Sequence, residues 1–238
     1  MDTNRHLDWQ GSYNMRDLGG LPARDGRRTA WRAVVRGDEP DGLTDSGWAA
    51  LWDYGIRTVV DLRELAELEQ SGSRPFELTT VRVPLDDHDD TEFWQRWGSG
   101  LDCTPLYYRA FLDRFPERIA QVMAAIAEAP TGGVLVHCGG GRDRTGLVVA
   151  LLLALVDVPV EVIAADYVLS AERLAPAWRD LDLGDQNGRI DAILHRHGTT
   201  ATQAVVTVLD SLDVHAYLRR TGLTEATLCA ISDRLLGA

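Results

Sequence analysis

The stretch Val134-Leu135-Val136-His137-Cys138-Gly139-Gly140-Gly141-Arg142-Asp143-Arg144-Thr145-Gly146 constrains the fold more than any other part of the chain. A short apolar run bounded by glycines reads as a buried strand, and the longer run Leu147 to Val156 as a buried helix. Strand, tight glycine loop and helix in succession are the unit of an α/β fold, and sites in such folds lie beyond the carboxyl ends of the strands. The flanking sequence agrees. Arg57 to Leu62 after Gly55 and Val81-Arg82-Val83 before Pro84 read as strands, with helical spacing over Leu62 to Gln70 ending at Ser71-Gly72. A helix is predicted from near Arg144 to about Asp157, where Val158-Pro159 stops it. From Glu161 onward the pattern is helical, punctuated by Pro176 and Gly184 to Gly188. The last two helices are Asp213–Arg220 and Thr224–Leu236, the second with Thr224 as N-cap. The predicted fold class is α/β, a central mostly parallel sheet with helices on both faces and a helical carboxy-terminal part, in one domain over residues 1–238.

Charge narrows the function. The chain carries 24 basic against 36 acidic residues, a net charge of -12, and every basic residue is Arg because the chain has no Lys. Nucleic-acid binding needs a broad basic surface to displace counterions, and an anionic membrane surface asks the same, so neither is expected as a partner. Cys103, Cys138 and Cys229 make no disulfide framework and no CxxC pair for zinc, which points to a reducing cytoplasm. Met1 to Gln10 has no apolar stretch for a signal peptide, and Leu147 to Val156 is too short to span a bilayer.

The glycine loop carries the chemistry. Gly139, Gly140 and Gly141 let the backbone curl so that several N–H groups point into one concavity, and such a nest at a helix N-terminus binds a phosphate or other oxyanion. Arg144 adds a planar fork matched to two phosphate oxygens. Thiols at helix N-termini beside cations titrate at about 3.5–7.5 rather than about 8.5, and the thiolate is the nucleophile. Thr145 is placed to donate its hydroxyl to the sulfur, and His137 to order the loop by hydrogen bonds rather than to act as a base. A lone Cys after a strand is usually only a small buried hydrophobe. Here five residues separate Cys138 from Arg144, with His before and Thr-Gly after, while GxGxxG and GKS/T are both missing. Attack by sulfur on a phosphate ester accounts for every part of the segment.

This loop resembles that of the cysteine-dependent phosphatases with the HCx5R signature. Within them it is similar to the bacterial tyrosine phosphatases of the phosphatase B type, whose loop usually reads HCxAGKDRTG. Asn14-Met15-Arg16-Asp17-Leu18-Gly19-Gly20 resembles their NFRDLGG, and Gly55 to Arg63 with Glu67 resembles GIxTVVDLRxxxE. Ala165 to Ser170 resembles ADYLLS, and Ala216 to Arg219 with Gly222-Leu223 the closing YLRxxGL. The departures are Gly140 for Ala and Arg142 for Lys; members with that Lys often act on phosphoinositides as well.

The resemblance implies a tyrosine-phosphatase fold and a two-step reaction without metal or other cofactor. Cys138 attacks phosphorus while Arg144 and the loop from Gly139 through Arg142, Asp143 and Thr145 hold the phosphoryl group. An Asp then serves as acid and afterwards as base. Asp86 in Pro84-Leu85-Asp86-Asp87 is the first candidate, Asp87 the second and Asp143 the third. Arg16 and Asp17 are expected to brace the loop, and Arg36 and Arg63 to hold acidic residues nearby or simply stabilise the fold. The aromatic stretch Thr91 to Phe115 reads as helical core or as a lid. Cys103 is a candidate for a protective disulfide with Cys138, and Cys229 is expected in the core. The expected substrate is a phosphorylated protein, with dual or lipid specificity as an extension. The alternatives are a small phosphoester such as a nucleotide or metabolite, an inactive phosphate-binding module, and a rhodanese-type sulfur transferase, which has no need of the Arg-Thr-Gly continuation.

Overall fold

The computed structural model describes residues 5–68, 74–75 and 77–237. Five strands form one sheet: β1 (Arg16–Asp17), β2 (Val34–Gly37), β3 (Ile56–Asp61), β4 (Thr79–Arg82) and β5 (Gly133–His137). Their order is β1-β2-β5-β3-β4, with β1 antiparallel to β2 and every other pair parallel. The parallel sheet read from the sequence is present, and β5 lies at its centre, so the loop after it opens at the middle of the carboxyl edge.

Alternation along the strands divides the core between the two faces. Val35, Val59 and Leu135 point to one face, where α1 (Asp45–Tyr54) packs through Leu51. Thr44 caps that helix by accepting from Gly47 N, and Gly55 ends it in the left-handed region at φ 109°. Val34, Val60, Val134 and Val136 point to the larger face. That face is covered by α2 (Thr91–Trp97), α3 (Tyr108–Arg114), α4 (Pro116–Ala127) and α5 (Asp143–Leu155). Helix α5 is apolar nearly all round, as a helix buried on all sides must be. The carboxy-terminal part follows as α6 (Val160–Asp180), α7 (Gln186–Arg196), α8 (Ala201–Asp210), α9 (Val214–Arg220) and α10 (Glu225–Leu236), and Thr224 caps α10 as expected. No described helix is long and apolar enough to cross a membrane.

Several local expectations are corrected. The helix expected over Leu62 to Gln70 is only a 3-10 turn at Leu65–Leu68, and its expected end at Ser71-Gly72 lies outside the described residues. Pro176 does not break α6, which runs through it because Leu174 and Ala177 on either side are buried in the core. Gly188 likewise falls inside α7, where Asp185 caps the helix by accepting from its N–H. Cys229 is exposed, because the buried stripe of α10 is Leu228, Ile231 and Leu235 and position 229 falls outside it.

One buried charge cluster ties the sheet to α6. Asp166 accepts from Arg5 Nη2 at 2.8 Å, Arg16 Nε at 3.1 Å and Arg36 Nη1 at 2.7 Å, and none of the four side chains is more than 4% exposed. Burial alone would raise the Asp166 carboxyl, but Arg16, Arg36 and Arg5 outweigh it and hold the group far below its ordinary 3.8. Removing the carboxylate leaves three guanidiniums in a dry site. Asp166→Asn is therefore expected to lower stability at pH 7 by about 3–5 kcal/mol in chemical denaturation. For a depressed carboxyl, the stabilisation is complete above the ordinary carboxylate range and fades as pH falls through it. The gap between wild type and variant should narrow toward pH 3, and a small gap at pH 7 that ignores pH would contradict this reading.

Candidate active site

The carbonyls of the loop after β5 are drawn outward, away from the cavity that Cys138 lines. His137 Nδ1 lies 2.9 Å from Cys138 O, and Glu39 N donates to Gly139 O at 2.8 Å. Asn14 Nδ2 donates to Gly140 O at 2.9 Å, and Arg36 Nη2 to Gly141 O at 2.8 Å and Arg142 O at 3.3 Å. Tyr108 Oη donates to Asp143 O at 2.7 Å. A planar trans peptide sets N–H opposite C=O, so carbonyls fixed outward turn the amides inward. The amides of residues 139–143 thus turn inward, next to the N-terminus of α5.

Only one of the three glycines is sterically required. Gly141 has φ 65°, and a Cβ there would lie 2.1 Å from Gly37 O and 2.5 Å from Asp38 N. A Cβ on Gly140 would make ordinary contact with Leu174 at 3.5 Å. That agrees with the family pattern, which places Ala there.

Cys138 lies at the end of β5, 4% exposed, and lines a cavity of about 400 Å³. Its walls include Asp86, Trp94, Cys103, Tyr107, Arg142, Asp143, Arg144 and Trp178. Arg144 reaches the cavity, but its fork is occupied: Nη1 and Nη2 donate to Glu67 at 2.6 and 2.7 Å. Its Nε stands 3.5 Å from Asp86 Oδ2. Asp86 is 8% exposed, and its Oδ1 has no hydrogen-bond partner among the described residues. Burial lifts its carboxyl to about 6, Arg144 and His88 opposing and Glu67 and Glu64 assisting.

The remaining candidates divide. Asp87 is not on the cavity wall; it pairs with Arg118 at 3.2 Å, and its carbonyl accepts from Trp94 Nε1. Arg142 lines the cavity but is committed, its Nε to Asp143 Oδ2 at 3.0 Å, its Nη2 to Cys103 O at 2.9 Å and its face to Trp178. Asp143 is held again by Tyr167 Oη at 2.6 Å. Thr145 is fully buried, and its hydroxyl has no partner among the described residues, so the expected bond to sulfur is not formed. A helical Thr divides between two χ1 rotamers, and this one leaves the hydroxyl unbonded.

His137 sits behind the loop with Nε2 3.1 Å from Arg74 Nη2 and 3.5 Å from Asp61. Burial lowers it to about 4, with Asp61 opposing, so the neutral ring donates from Nδ1 to Cys138 O and accepts at Nε2. Arg63 gathers Asp61, Asp41 and Glu39 into the same layer. Arg16 is wholly buried rather than part of a surface ion pair, and it acts through Asn14, whose Oδ1 it holds at 2.6 Å. Asp17 does not touch the loop. It accepts from Gly19 N, Arg32 N and Tyr54 Oη, because alternation in β1 turns it to the face opposite Arg16.

Asn14 and Asp166 lay inside the quoted sequence blocks without an assigned task, yet one grips the loop and the other anchors its supports. The only signal for either in the sequence was membership of those blocks. Cys103 is exposed and free, with its thiol pushed to about 11 by desolvation and by Asp143 and Asp102. It sits on the cavity wall, as do Trp94 and Tyr107 from the aromatic stretch.

The geometry agrees with comparisons against known proteins. A tyrosine-protein phosphatase of Nostoc commune is 31% identical over 173 residues, covering 68% of this chain but only 59% of that protein. The triple specificity protein phosphatase PtpB of Mycobacterium tuberculosis is 26% identical over 279 aligned residues, covering 95% of this chain and 98% of that one. P. aeruginosa TpbA, solved in complex with pTyr, overlaps 80% of this chain and 86% of its own at 16% identity, with a TM-score of 0.39 too low to carry an argument. The profile of the tyrosine phosphatase family matches residues 7–237, and the chain belongs to that family.

Proposed function

We propose that this chain, working as one catalytic domain, hydrolyses phosphotyrosine in proteins through a cysteinyl-phosphate intermediate. The observation that carries the reading is Cys138 on the wall of a cavity that Gly140, Arg142, Asp143 and Arg144 also line, with the loop carbonyls drawn away from it. Trp94, Tyr107 and Trp178 on the walls suit a phenyl ring.

In the first step the Cys138 thiolate attacks phosphorus through Sγ and the bond to the phenolic oxygen breaks. The Asp86 carboxyl gives its proton to that leaving oxygen. Water then attacks the phosphorus, Asp86 takes its proton, and the P–S bond breaks to release phosphate and restore the thiolate. Arg144 and the amides hold the equatorial oxygens throughout, a positive field fixed before the reaction begins. The phosphate must share or displace Glu67 on the Arg144 fork. Asp86 is favoured over Asp87 as the acid because it faces the cavity and its raised carboxyl keeps the proton nearer to neutrality. Free thiols at Cys103, Cys138 and Cys229 suit a cytoplasmic setting, where the nucleophile stays reduced.

Three measurements test the reading. Cys138→Ser should abolish turnover of p-nitrophenyl phosphate and of phosphotyrosine peptides. Asp86→Asn should slow the peptides, with their poor leaving group, by about 10²–10⁴-fold and p-nitrophenyl phosphate far less. Because the Asp86 carboxyl is raised to about 6, its acid form is lost as pH climbs through that value, so the wild-type rate should fall on that side and the variant should lose this limb. Equal slowing of both substrates would remove Asp86 from the acid's role. Gly141→Ala should cost about 10²-fold through displacement of the loop, whereas Gly140→Ala should stay near wild type.

A further inference from the structure

Both guanidiniums of the cavity are matched by carboxylates before any substrate arrives. Glu67 grips Arg144 at both Nη atoms, and Asp143 Oδ2 lies 2.9 Å from Arg142 Nη2. The same lining carries three more carboxylates: Glu64, Asp86 and Asp102. Asp86 has only Arg144 Nε at 3.5 Å, and its Oδ1 is buried and unpartnered among the described residues. Glu64 and Asp102 pair with no described cation within 4 Å. Asp102 Oδ1 accepts only from Gly100 N at 3.0 Å, and Glu64 Oε1 is buried without a partner among the described residues. His88 adds a further basic group to the lining. Beyond the phosphate seat, the wall is therefore acidic, with no free guanidinium among the described residues.

Resting on the phosphatase reading above, we propose that this site selects phosphotyrosine flanked by basic residues and rejects substrates with further anions, through the unmatched carboxylates of Glu64 and Asp102. A phosphoryl group takes the amides and Arg144, and the substrate groups next to it then face the acidic wall. Charges within a Debye length of about 8–10 Å act on one another, and low-dielectric cavity walls concentrate that field. An Arg or Lys beside the phosphotyrosine is attracted. A second phosphate, as on a polyphosphorylated inositol lipid or a nucleotide, meets like charge. Arg142 offers it no relief, since Asp143, the Cys103 carbonyl and Trp178 already hold that guanidinium.

The test uses three phosphotyrosine peptides identical except for Arg, Ala or Glu on both sides of the phosphotyrosine. A polyphosphorylated inositol lipid and p-nitrophenyl phosphate complete the panel. The expected order of kcat/KM is Arg above Ala above Glu, spread over about tenfold or more, with the lipid lowest. The spread should collapse in about 0.5 M salt. The double variant Glu64→Gln, Asp102→Asn, and Asp102→Asn alone to a lesser degree, should flatten the ranking of the peptides when each rate is taken relative to p-nitrophenyl phosphate on the same variant. Both substitutions keep their local acceptor oxygens. Asp45→Asn with Asp53→Asn, on α1 across the sheet, removes two charges elsewhere and should leave the ranking intact. A flat or reversed ranking with turnover intact overturns the inference alone, as does a ranking that survives the Glu64 and Asp102 changes or vanishes equally in the α1 control. Absence of turnover on every phosphotyrosine substrate overturns the phosphatase reading and this inference together.

Discussion

Three guanidiniums from separate parts of the chain, at Arg5, Arg16 and Arg36, converge on the carboxylate of Asp166, and the supports of the loop after β5 are assembled around that meeting. A buried charge of this kind is costly unless it is matched and hydrogen-bonded. Arg36, once fixed by Asp166 through Nη1, has Nη2 free to hold two carbonyls of the loop. Arg16, fixed in the same way, holds the Asn14 amide that grips two more. The loop is thus shaped from behind by buried groups, and under the proposed reaction its amides would need no reorganisation as charge develops in front of them.

Much of this was legible in the sequence, and the reason differs from part to part. The loop was legible because its chemistry is local: nucleophile, glycines and guanidinium lie within one short segment. Strand β5 and helix α5 were legible because fully buried elements are apolar almost throughout; β3 was legible from its β-branched run and the half-exposed β4 from the stop at Pro84. Strands β1 and β2 were not. The first is two residues long, and the second ends in Arg36-Gly37, which by itself argues against a buried strand. Only a partner 130 residues away makes that arginine acceptable in the interior. Long-range pairing of this kind leaves no periodic trace.

The misplaced details share one cause. The block Asn14 to Gly20 offers both Arg16 and Asp17 as braces of the loop, but neighbours on a strand face opposite ways and only Arg16 turns toward it. Pro176 and Cys229 were judged from residue type, whereas burial on either side of the proline and the narrow apolar stripe of α10 decided their places. Asp86 and Asp87 are adjacent in the sequence, which ranks them first and second. Burial separates them, leaving one in the cavity with a raised carboxyl and the other paired with Arg118.

Gly37 and Gly141 touch backbone to backbone, and a Cβ on Gly37 would fall 2.0 Å from Met15 Sδ. Strand end and loop are stacked main chain on main chain, with no side chain between them to yield, while on its other side Gly37 meets the Met15 side chain. Such a stack works as a ruler. The distance from the strand end to the loop is fixed by main-chain thickness rather than by adjustable packing, so the two glycines form one joint geometric element though more than a hundred positions separate them.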